Sequence, residues 1–208
     1  ETLSPGNGDA GLVKIKADQF QMIGGNIITN SKSAGEGGIV DVAARTIDIS
    51  GTGAIKSDAL NAGNGGDIQL KASESFQLGN ASIDAITRDR GTGGQILIES
   101  PKINLSADGL INISALSGTG NAGKLTITGD SIGLDASSIG TATLTAGDAG
   151  TVTLAAADIT ISNSDIQGET RGQGTGADIL LMADNITVID SPINSSTLDQ
   201  GSGGVITL

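Results

Sequence analysis

Cysteine, histidine, tryptophan and tyrosine are all missing from this chain of 208 residues, and phenylalanine occurs only at Phe20 and Phe76. Without cysteine there is no disulfide framework and no thiolate nucleophile. Without cysteine or histidine there is no structural zinc site and no c-type haem attachment. The Ser-His-Asp and Cys-His nucleophile systems are closed for the same reason. Basic residues are scarce: 11 Lys and Arg stand against 23 Asp and Glu, a formal charge of -12. No basic face for nucleic acid or for an anionic membrane is therefore expected. Long apolar runs are absent too, so no membrane insertion is expected, and Glu1, Thr2, Leu3 and Ser4 do not open a signal peptide.

What the chain has in plenty is glycine, 33 in all, and much of it is in register. The quartet Gly63-Asn64-Gly65-Gly66 recurs in recognisable form eight times, with its last residue at Gly11, Gly38, Gly66, Gly94, Gly123, Gly150, Ala177 and Gly204, a spacing of 27 to 29 residues. Two and four positions after each anchor stand large aliphatic residues, as in Ile68/Leu70, Ile96/Ile98 and Val152/Leu154. Such alternation marks a strand with one buried face. Six positions after the anchor the residue is always small (Ala17, Ala44, Ala72, Ser100, Gly129, Ala156, Ala183), which predicts a tight corner. A second alternating strand follows, with inward pairs such as Phe20/Met22, Phe76/Leu78 and Ile159/Ile161. Then comes a lone isoleucine, at Ile27, Ile55, Ile83, Ile111, Ile139, Ile166 and Ile193, marking a third, shorter strand.

One such unit cannot bury its own apolar residues, but stacked units can, with like residue on like residue. The chain is accordingly expected to be all-β: a parallel β-helix of about seven full rungs, each of three short strands, forming one segment over residues 1–208. Neither end carries the polar capping repeat that normally closes a solenoid, so the chain reads as a segment of a longer repeat protein, or as a subunit that stacks end to end.

The unit G-[N/D/T/S]-[G/A]-G-x-[I/V/L]-x-[I/V/L]-x-A, seen in Gly63 to Ala72, Gly120 to Gly129 and Gly147 to Ala156, resembles the repeats of filamentous-haemagglutinin-like exoproteins of bacterial two-partner secretion. The resemblance covers essentially the whole chain. It implies a right-handed β-helix, export through an outer-membrane two-partner transporter, and an extracellular, cell-surface role as adhesin, biofilm component or stalk. Partners so implied are glycans or proteins of host cells, neighbouring cells or matrix. The family's secretion domain and effector domains have no counterpart here, and its repeats share no catalytic motif.

Several residue patterns invite a site and resolve into architecture. Glycine-rich loops cradle phosphate when a helix follows, whereas here a strand follows and no Gly-Lys-Ser/Thr occurs. Asp9, Asp67, Asp148 and Asp178 lie near the quartet corner with Asn64 and Asn121, but they shift position from rung to rung and lack the nine-residue period of calcium-loaded β-rolls. The outward positions of the first two strands hold a single acid each, Asp41 and Asp48, too few for an acid/base pair. No catalytic, metal-binding or cofactor-binding residue is assigned, and no cofactor is expected. The third corner, before each quartet, varies most. There Arg88, Asp89 and Arg90 in one rung and Glu169 and Arg171 three rungs on are the candidate partner-binding residues, placed on one edge by stacking. The expected role is a structural and adhesive stalk, without enzymatic activity. The alternatives are a self-assembling end-to-end filament and a carbohydrate-active β-helix whose active residues lie outside these repeats.

Overall fold

The computed structural model describes residues 8–144 and 146–208. It is all-β and contains no helix among these residues. The strands form two parallel sheets, one of 13 strands and one of seven, that wind around a single core. Every strand pairs only with strands about 27 residues away in sequence. Val40 faces Ile68, Ile68 faces Ile96, and the column continues through Leu125, Val152 and Ile179 to Ile206. The second strands carry the column Phe20, Ile47, Phe76, Ile103, Ile132, Ile159, Ile186. The third strands carry the isoleucine column from Ile27 to Ile193. With rungs roughly 4.8 Å apart, the stack is a rod about 34 Å long.

These columns are the core. Val40, Ile68, Leu70, Phe76, Leu78, Ile83, Ile111, Leu125, Val152 and Ile166 are fully buried, while Ile15, Phe20, Ile27, Ile186 and Ile193 in the outermost rungs are only partly covered. The sequence alternates because each strand has one face in this core and the other in water.

At the first corner the chain departs from the sharp turn that the small column predicts. In two rungs a single strand runs straight through, Ile39–Ser50 and Asp67–Gly79, with a register shift between Ala44 and Thr46. First and second strands therefore belong to one wrapped sheet. The small side chains at Ala44 and Ala72 let the strand bend without breaking its ladder. The second corner is sharper: Gly24, Gly51, Asn80, Ala107, Ala136, Asn163 and Asp190 all take positive φ there. Glycine, asparagine and aspartate tolerate that region best.

The quartet glycines are required by contact. A Cβ on Gly66 would run into the carbonyl of Gly38 in the rung below and into Ser57 Oγ. The anchor amides bond backward across the core, Gly66 N–H to the Ser57 carbonyl at 2.9 Å and Ala177 N–H to the Gly168 carbonyl at 3.2 Å. Ala177 is the exception to glycine, and the residue it meets is also an exception: its Cβ lies against Gly168, where the other rungs carry Thr29, Ser57, Ala85, Ile113, Thr141 and Ser195. One methyl gained is matched by one side chain lost.

Candidate functional site

The third corner joins the seven-stranded sheet to the next quartet, and buried hydroxyls hold it in place. Thr87 Oγ1 donates to the Gly63 carbonyl at 2.9 Å, Thr143 Oγ1 to the Gly147 carbonyl at 2.7 Å, and Thr29 Oγ1 to Ser57 Oγ at 3.0 Å. All four of these hydroxyl-bearing residues are fully buried. Ser31, Ala59, Thr87, Ala115, Thr143 and Thr170 stack in parallel register, which fixes the residue after each of them on the outer edge.

That outer position is occupied by Lys32, Leu60, Arg88, Leu116, Leu144, Arg171 and Leu198. Backbone bonds tie the column together: Leu60 N–H donates to the Ser31 carbonyl, Arg88 to Ala59, Leu116 to Thr87, Leu144 to Ala115 and Arg171 to Thr143, each at 2.9 to 3.2 Å. The predicted edge therefore exists, and Arg88 and Arg171 occupy equivalent positions three rungs apart. Arg88 and Arg90 are exposed and form no ion pair among the described residues. Arg171 Nε is 2.7 Å from Glu169 Oε1 in its own rung. Asp89 is half-buried with a φ of 78°, and its amide donates to Ser117 Oγ in the next rung. Its role is in the turn, while the side chains of the two arginines beside it are exposed to solvent. Sequence reasoning named the charged members of this column and missed the leucines. The signal was present, because all seven residues stand five positions after the lone isoleucine of their rung.

Just inside the edge lies a buried carboxylate. Asp58 is 7% exposed, and its pKa is raised to about 6, chiefly by burial and further by the charge of Asp84, against the lowering effect of an amide bond from Ile86 and of Lys56 and Arg88. Its Oδ1 accepts from Ile86 N–H at 3.0 Å, and its own amide donates to Asn30 Oδ1 at 2.9 Å. Asp84, also buried, lies 3.2 Å from Lys56 Nζ. These groups link successive rungs by hydrogen bonding, and no group of three or more potential metal ligands occurs among the described residues.

The polar residues of the quartet corner do related work. Asp9 accepts from Glu36 N–H, Asn64 from Thr92, Asn121 from Asp148 and Asp148 from Thr175, at 2.8 to 2.9 Å. Each side chain receives an amide of the following rung, which explains why Asp and Asn recur there. A shallow groove of about 480 Å³ runs along the first corner over Ala17, Ala44, Ala72 and Ser100, edged by Lys16 and by the Lys71–Glu99 ion pair at 2.7 Å. On the same side Arg45 spans three rungs, 3.0 Å from Asp18 and 2.7 Å from Glu74, and the Asp18 carboxyl is held below its ordinary range by Arg45.

Compared with family models, curated proteins and solved structures, the chain matches none.

Proposed function

We propose that this chain is a stalk segment of a secreted bacterial surface exoprotein, a stiff rod that presents adhesive regions or contributes to a biofilm matrix, and that it acts without catalysis. The observation that supports this reading is the uniformity of the stack. Rung after rung repeats the same core columns and the same inter-rung bonds, and the third-corner edge is where charge and side-chain size vary most. A rod of this build supplies length, stiffness and a linear display surface. The repeat pattern's resemblance to filamentous-haemagglutinin-like exoproteins supports export through an outer-membrane two-partner transporter and an extracellular location.

Labelled protein should bind bacterial cells or extracted matrix glycans saturably, and the double substitution Arg88→Ala with Arg171→Ala should weaken that binding about tenfold while leaving the melting temperature unchanged. Binding no greater than that of an unrelated β-solenoid would overturn the adhesive role. Unaltered binding by the double variant would move the contact to another face.

A further inference from the structure

We infer that the third-corner edge receives a second copy of this chain, the two rods lying side by side and antiparallel about a two-fold axis at Leu116. The inference rests on the reading of that edge as a contact surface and names the occupant.

The first observation is apolar exposure. Leu60 (36%) and Leu144 (42%) are exposed large apolar side chains and both stand on this column, while Ile39 and Met182, also exposed, stand singly on the first-strand face two-thirds of the rod apart. Leu116, midway between the two leucines, is half-buried. The second observation is charge. Lys32, Arg88, Arg90 and Arg171 are matched at this corner by Asp58, Asp89, Glu169 and Asp199, so the edge is neutral and the whole net charge of -12 lies on the other faces. The charges of the corner itself thus balance, and two copies can meet along it with cation set near anion.

The third observation is order along the column. A two-fold interface must be self-complementary. If two rods lay parallel and in register, Lys32, Arg88 and Arg171 would each face its own copy. Antiparallel about Leu116, every cation faces a leucine: Lys32 meets Leu198, Leu60 meets Arg171, Arg88 meets Leu144, and Leu116 meets itself. The aliphatic stems of arginine and lysine pack on such leucines while their charged heads reach past them. The rung facing Lys32 offers the exposed Asp199. The contact runs about 29 Å along seven rungs and is narrow, well under the roughly 1,000 Å² of a stable interface. Pairing is therefore weak for this length of rod and strengthens as more rungs engage.

The absence of cysteine makes the test clean, since single cysteines can be placed at will. With a short bismaleimide, Leu116→Cys should cross-link to itself at least about tenfold more than Gln77→Cys on the second-strand face. A mixture of Leu60→Cys and Arg171→Cys should give mixed dimers, while each alone gives few. Sedimentation equilibrium of the unmodified chain should show a monomer–dimer equilibrium that Leu144→Lys, which sets a lysine against Arg88, weakens about tenfold. Cross-linking of Leu116→Cys at the control level overturns the pairing, and preferential Leu60-to-Leu60 linkage overturns its antiparallel sense. If cell binding still depends on Arg88 and Arg171 while cross-linking is at control level, the edge serves another partner and only self-pairing fails. If dimers form and no cell binding occurs, the adhesive role fails alone.

Discussion

Asp58 makes stability depend on pH in a direction opposite to that of an ordinary ion-paired carboxylate. Its usual pKa is 3.8 and the fold raises it to about 6, so between these values the folded chain holds a proton that the unfolded chain has released. Stability should fall as pH rises through that window and level off above it, where the buried charge costs on the order of 3 kcal/mol. Asp58→Asn keeps an acceptor for Ile86 N–H and should abolish this slope. Urea melts at pH 4 and pH 7 check it, and an undiminished slope would place the titration elsewhere. The pair Gly168 and Ala177 allows a second test at this scale. Gly168→Ala puts a methyl where the Ala177 Cβ already lies and should cost about 1–3 kcal/mol, the usual range for overpacking. Adding Ala177→Gly should recover most of that loss, a coupling that a double-mutant cycle measures directly.

The strands were legible because alternation reports burial one residue at a time, and the columns at Ile68, Phe76 and Ile83 could be read without knowing what covered them. The joints between strands were less so. A strand that runs through Ala44 and Ala72 looks, in sequence, like two strands and a turn, because small residues permit either. The quartet's Asn and Asp looked like ligands, since their real partners are amides one rung away that carry no side-chain signature. Asn121 illustrates this: it accepts from Asp148 N–H at 2.9 Å. Asn121→Ala should leave that amide without its partner, lowering stability by about 0.5–1.5 kcal/mol. Hydrogen exchange should quicken at Asp148 and stay unchanged in the strand Lys124–Thr128; uniform change along the rung would contradict a local acceptor role. The outer edge was half legible. Charges stood out at Arg88 and Arg171, while Leu60, Leu116 and Leu144 belonged to no inward column and passed as loop residues.

The whole molecule is close to one-dimensional, since each rung touches only its neighbours. Deleting Gln95 through Gly123 joins Gly94 to Lys124 and removes one complete turn without disturbing the register on either side. That variant should keep its β-type circular dichroism and unfold cooperatively at lower denaturant, having lost a few kcal/mol of interface. Deleting only residues 95–109 breaks the columns and should abolish folding; the two deletions behaving alike would contradict the stacking. The same geometry has a mechanical consequence. The inter-rung bonds lie along the rod axis, so a load pulling its ends apart meets them one turn at a time, as teeth of a zipper. Each turn of 27 residues that gives way pays out about 90 Å of extended chain in place of roughly 4.8 Å of rod. Stretched in an optical trap, the molecule should lengthen in equal steps of that size, yielding as a shock-absorbing tether whose slack is set by the number of rungs.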